Sequence, residues 1–127
     1  MQPSSMSEDV QRCVELCVDC YWTCKQTAMN HCLETGGEHV APEHFRLMIN
    51  CAEICRTAAD FLLSSSRLFP QVCAACAEIC DDCALSCENL GDMERCVRAC
   101  RACSQSCRAL AHAAVRPVAV LETASAR

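Results

Sequence analysis

The chain has 127 residues, a formal charge of −5, sixteen cysteines, three glycines and few aromatic residues. That length holds one domain and one core. The acidic balance, without any Lys/Arg cluster interleaved with aromatics, argues against nucleic acid, whose binding depends on neutralising phosphates; no run reaches the roughly 18 apolar residues of a membrane span.

Ala, Leu, Glu, Arg and Cys dominate, which predicts an all-helical chain. Ser5 or Ser7 caps a first helix over residues 7–35, and Ser5 with Glu8 has the capping-box spacing; Gly36-Gly37 stops it. Pro42 opens a second helix over 42–66, with Glu43 beside the positive end of its dipole. Pro70 opens a third, over 70–90, ending before Gly91. Asp92 is the expected N-cap of a fourth over 92–115, with Pro117 just beyond and residues 116–127 as a C-terminal tail. Four helices joined by short connections predict an antiparallel up-down-up-down four-helix bundle over residues 1–115. Residues 1–30 show no basic region followed by an apolar run, so no secretory leader is read and a cytoplasmic location is expected, where thiols stay reduced.

The cysteines recur at alternating steps of three and four: Cys13, Cys17, Cys20, Cys24; Cys73, Cys76, Cys80, Cys83, Cys87; Cys96, Cys100, Cys103, Cys107. This heptad spacing sets each run along one stripe of one helix, so the core is expected to be lined with sulfur. The third and fourth helices read as weak repeats of the first. In the second helix the stripe is His44, Met48, Cys51, Cys55, Ala58 and Leu62, with Phe61 beside it. Antiparallel register puts His44 and Met48 level with His31, Cys32, Cys83, Cys87, Met93 and Cys96, which predicts a mouth rich in His and Met. Val10, Phe61, Leu62, Phe69 and Leu110 are expected to close the opposite end. His39 reads as a solvated loop residue, His112 as facing solvent or a neighbouring subunit, and Met93 as core packing.

A single cysteine on such a stripe is a small buried hydrophobe. Sixteen are a poor way to gain stability, because Cys and Ala bury less apolar area than Leu. Disulfides fit badly: the expected compartment is reducing, and cysteines three or four apart on one helix do not aim their Cβ atoms at each other. Redox catalysis wants one CxxC at a helix N-terminus, not four copies within helices. Zinc ribbons place CxxC on tight turns, and no iron-sulfur string occurs. Cu(I) selects thiolate and thioether and accepts low coordination numbers, so two sulfurs on one helix or on facing helices complete a site. A monovalent ion per thiolate also keeps a buried core near neutral, which predicts roughly one Cu(I) per cysteine and about a quarter as many Zn(II).

Cys13-Val-Glu-Leu-Cys17-Val-Asp-Cys20-Tyr-Trp-Thr-Cys24, Asn50-Cys51-Ala-Glu-Ile-Cys55, Cys76-Ala-Glu-Ile-Cys80 and Cys96-Val-Arg-Ala-Cys100-Arg-Ala-Cys103 together resemble the copper storage proteins, in particular the cytosolic branch, over about residues 8–114. The resemblance implies many Cu(I) ions down the bundle axis and assembly into a homotetramer. Its mouths carry His, Met or Asn, similar to His31, His44 and Met48 here; Cys83 and Cys87 stand near where cytosolic members often show histidines. The expected function is storage of Cu(I), without catalysis, on all sixteen cysteines with His31, His44 and Met48. Copper donor or acceptor proteins, or small thiols, are the expected partners. A Zn(II) or Cd(II) thiolate buffer and a thiol redox-sensing interaction protein are the alternatives.

Overall fold

The computed structural model describes the backbone of residues 7–125 and the side chains of residues 7–114. Ser5 and the end of the expected tail lie outside the described residues. Helix α1 spans Glu8–Gln26, continues as a π-helical segment Thr27–Cys32 and ends in an α-helical turn, Leu33–Thr35. Helices α2 (Pro42–Leu63), α3 (Phe69–Leu90) and α4 (Glu94–Ser125) follow, with a 3-10 turn at Gly37–Val40. Each of α1 and α3 packs against both α2 and α4, which is the cyclic order of an up-down-up-down bundle. The fold is all-α.

Local chemistry explains the helix ends. Ser7 caps α1, its hydroxyl accepting from the Val10 amide at 3.1 Å. Gly36 takes φ +74°, a left-handed value open to a residue without Cβ, and ends the first helix. Ala41 is extended before Pro42, as the proline ring requires. Helix α2 stops at Leu63, short of the expected residue 66, because Ser65 turns left-handed and the Ser66 amide bonds back to the Phe61 carbonyl at 3.1 Å.

Two expectations about α4 change. Asp92 does not cap it: its φ is +61°, and the first helical bond runs from the Val97 amide to the Met93 carbonyl. Asp tolerates this conformation better than most residues, and it turns the chain between Gly91 and α4. The helix also continues past Val115 and through Pro117 to Ser125. A proline costs a helix one N–H bond and crowds the preceding turn, but the Ala- and Leu-containing flanks favour helix on both sides.

The core is sulfur and alanine. All sixteen cysteines are buried, and the other buried apolar residues among those described are Ala28, Ala52, Ala58, Ala59, Ala77, Ala84, Ala99 and Ala111 with Leu62, Met48 and Met93. Cysteine side chains are short, so the helices approach closely and their sulfurs meet on the axis. At the end away from the mouth, Leu62 is buried and Val10, Phe69 and Leu110 pack partly buried against the core; Phe61 is half-buried. Outside the core, α3 is tied to α4: Asp81 accepts from Ser104 Oγ at 2.5 Å and from Arg108 at 2.8 Å, and Arg101 meets Glu88 at 2.9 Å. No helix among the described residues is long and apolar enough to cross a membrane.

Candidate metal centre

Because the stripes run at three- and four-residue steps, each turn of the bundle presents sulfur from several helices at one level. Nearest the closed end are Cys13, Cys73 and Cys107; then come Cys17, Cys76, Cys103 and Cys107; then Cys20, Cys55, Cys80 and Cys103; then Cys20, Cys24, Cys51 and Cys100. Within each group the sulfurs lie within 4.8 Å of one another. Cys20, Cys103 and Cys107 each belong to two groups, so the groups join into one column rather than separate pockets.

The distances are those of sulfurs in contact. In the group nearest the mouth, five pairs are short: Cys20–Cys24 3.9 Å, Cys20–Cys100 3.7 Å, Cys24–Cys51 3.9 Å, Cys24–Cys100 3.6 Å and Cys51–Cys100 3.8 Å. Cys55 and Cys80, on α2 and α3, come to 3.4 Å. Helix packing has therefore already gathered the donors that a soft ion needs.

Thiols in this column hydrogen-bond to one another, and in each pair one sulfur holds the proton while the other accepts. Hydrogen bonds with Cys100 and Cys103, reinforced by burial, push the Cys20 thiol up. Burial pushes Cys32 up, helped by Cys96 and Cys83 nearby. Among the described residues, neither Lys nor Arg is buried to balance thiolate charge. The protons must remain until a cation replaces them.

Four cysteines lie outside these groups, toward the mouth: Cys32, Cys83, Cys87 and Cys96. Met48 is fully buried among them, its Sδ 3.7 Å from Cys83 Sγ and 3.5 Å from Cys87 Sγ. Cys96 points its sulfur at the Thr23 carbonyl, 3.9 Å away. His44 is buried in the first turn of α2 with Nδ1 2.8 Å from Ser86 Oγ; burial lowers its proton affinity and favours the neutral ring.

His31 stands at the mouth, as the register expects, but off the sulfur stripe. Counting seven from Cys24 sets it on the stripe of a regular helix, but the π-helical segment winds more residues into each turn. Ala28 and Cys32 take the buried positions, and His31 moves to the rim, half-buried. There its Nε2 lies 3.6 Å from Asp92 Oδ2 and its ring stands edge-on to His39, with centroids 5.0 Å apart. His39 is thus packed at the mouth rather than free in solvent, while His112 is exposed. Met93 is buried and stands between two shallow openings, one lined by His31 and Cys96 and the other by Cys87. Sequence reasoning missed Ser86 and Asp92 as partners of the histidines; the register that put His44 level with Cys87 also points to Ser86, one residue earlier.

A family model described as copper storage protein matches residues 6–112. The crystal structure of the Nmul_A1745 protein from Nitrosospira multiformis is similar with a TM-score of 0.83 and 55% identity, covering 84% of this chain and 98% of that one. The Cu(I)-bound copper storage protein BsCsp3 from Bacillus subtilis is similar with a TM-score of 0.76 and 31% identity, over 82% and 99% of the two chains. In sequence, the cysteine-rich protein YhjQ of Bacillus subtilis (strain 168) is 33% identical over 82 residues, 65% of this chain and 75% of the relative. The family match takes in every cysteine from Cys13 to Cys107 and the helices that carry them, and the chain belongs to the copper storage protein family.

Proposed function

We propose that the protein takes up many Cu(I) ions along the column of thiolates, holds them without catalytic turnover, and gives them up at the His- and Met-bearing mouth. The sixteen cysteines are the proposed ligands, with Met48 and His44 at the mouth and His31 on its rim. The observation that carries this reading is the continuity of the sulfur: twelve cysteines fall in overlapping groups with every sulfur within 4.8 Å of the others in its group, all buried. A soft monovalent ion with two or three sulfur ligands suits such a column, because adjacent sites share donors and each ion replaces about one proton. Cytoplasmic residence, where the thiols stay reduced, completes the reading, with donor or acceptor proteins or small thiols exchanging copper at the mouth.

Self-association into a tetramer is part of the same proposal. Val14, Val18 and Trp22 recur every four residues along the outside of α1, Trp22 is 65% exposed, and with Arg95 they line a groove of about 450 Å³. An exposed apolar strip of this kind suits contact with another copy.

One observation favours a divalent alternative. The five short distances among Cys20, Cys24, Cys51 and Cys100, 3.6–3.9 Å, match the roughly 3.8 Å edge of a regular tetrahedron with metal–sulfur bonds of about 2.3 Å. Anaerobic titration of the reduced protein with Cu(I) against a chromophoric chelator tests the main reading. Uptake near one ion per cysteine supports storage, and saturation after one or two ions rejects it.

A further inference from the structure

We propose that Ser86 is a positioning residue for His44: it holds the imidazole so that Nε2 presents a lone pair at the mouth, and it thereby governs how fast copper crosses this end of the bundle, not how much is stored. The proposal rests on the copper-storage reading and extends it to a residue with no metal-binding atom of its own.

His44 is only 8% exposed, so its ring nitrogens depend on protein partners. Nδ1 has one, Ser86 Oγ at 2.8 Å, reaching across from α3. Nε2 is buried without a hydrogen-bond partner. A neutral imidazole carries one N–H and one lone pair. If Nε2 held the hydrogen, a buried N–H would lack an acceptor, the rarer and costlier kind of orphan. With Nδ1–H donated to the serine hydroxyl, Nε2 is a bare donor atom available to a soft cation. Metal-binding histidines are commonly oriented through their second nitrogen in this way.

The location suits transfer. Met48 lies one turn after His44 on α2, and its thioether touches Cys83 and Cys87; Cys87 directly follows Ser86 on α3. On the outer side, His44 and Ser86 line a groove of about 620 Å³ together with Glu38, Glu43 and Asp82, a rim that attracts cations. The imidazole therefore stands in the wall between an acidic groove and the first sulfurs of the core.

The test compares Ser86→Ala, Ser86→Thr, His44→Ala and the double Ser86→Ala/His44→Ala variant. Alanine is the better helix former, so Ser86→Ala keeps α3 intact. Three readouts apply: Cu(I) capacity, the rate at which a chromophoric chelator strips the loaded protein, and the tautomer of His44 from its imidazole ¹⁵N spectrum in the apo protein. The expected result is unchanged capacity in Ser86→Ala and Ser86→Thr, exchange slowed roughly tenfold in both Ser86→Ala and His44→Ala, a double variant no slower than His44→Ala, rescue by threonine, and loss of the single Nδ1–H tautomer in Ser86→Ala. Wild-type exchange in Ser86→Ala, multiplying effects in the double variant, or an unchanged tautomer overturns the proposal. If the wild-type chain takes up only one or two ions, the storage reading fails instead, and the tautomer of His44 in Ser86→Ala still decides whether the serine positions it.

Discussion

Met48 on α2 places its thioether sulfur 3.5 Å from the thiol of Cys87 on α3. A thioether never ionises, so this contact adds a soft donor to the mouth without adding charge. Met48→Leu keeps the volume and is expected to cost less than about 1.5 kcal/mol of stability. Total Cu(I) uptake should fall by no more than about one ion, with weaker retention confined to the last ions loaded. Chelator competition at high and at low occupancy separates this from a general loss, which would place Met48 in the scaffold rather than in the ligand set.

Divalent ions should stop far short of Cu(I). The groups Cys17/Cys76/Cys103/Cys107 and Cys20/Cys24/Cys51/Cys100 share no sulfur, but Cys20/Cys55/Cys80/Cys103 draws on both. Ions that each need four sulfurs can therefore fill about two of these sites together, fewer than a quarter of sixteen cysteines suggests. Titration with Co(II), whose visible bands report tetrahedral sulfur coordination, should saturate at about two equivalents. Saturation at four would mean that the column rearranges to separate its tetrads.

The stripes were readable because a three–four repeat of one residue type fixes a helix face whatever the tertiary contacts. Antiparallel register then put His44, Met48, Cys83 and Cys87 at one level without further information. Seven residues beyond Cys24, His31 would share the cysteine stripe of a regular helix, and nothing in Thr27–Cys32 announces the π-winding that turns it to the rim. Residue type alone suggests Asp92 as a cap, whereas its left-handed backbone is set by how α3 turns into α4. The His44–Ser86 bond and the sharing of Cys20, Cys103 and Cys107 between groups arise only when helices meet, so the sequence shows the donors but not their partition.

Stability of the apo protein should fall on the alkaline side. Burial raises the Cys32 thiol above its unfolded value, with Cys96 and Cys83 adding to the effect. A group whose folded pKa is raised contributes stability that is complete below the unfolded thiol value, about 8.5, and lost as pH rises toward the folded one. Thermal melting of the reduced apo chain should therefore be flat in this term up to about pH 8 and decline above it. Copper affinity should rise over the same range, because fewer protons need displacing. Cys32→Ala should make the apo decline shallower; an unchanged slope would remove Cys32 as a contributor.

Scaffold and cargo should separate at Asp81. Its carboxylate, on the outer side of α3, accepts from Ser104 Oγ and from Arg108 on α4, and Arg108 also donates to Ser104 at 3.1 Å. The hydrogen bond from Ser104, with the Arg108 charge beside it, holds the Asp81 carboxyl below the usual carboxylate range. Its contribution is thus present above about pH 4 and lost as pH falls through the lowered value. Because the core of cysteine and alanine buries little apolar area, such outer ties carry a larger share of the apo stability than in a leucine core. Asp81→Ala leaves the nearly buried Ser104 hydroxyl without its closest partner and should cost about 1–2 kcal/mol, a shift of several degrees in melting temperature. Copper capacity should not change, since no sulfur moves out of the column. Reduced uptake in Asp81→Ala would show instead that the α3–α4 tie sets the sulfur spacing, and calorimetry beside a Cu(I) titration of the same variant distinguishes the two outcomes.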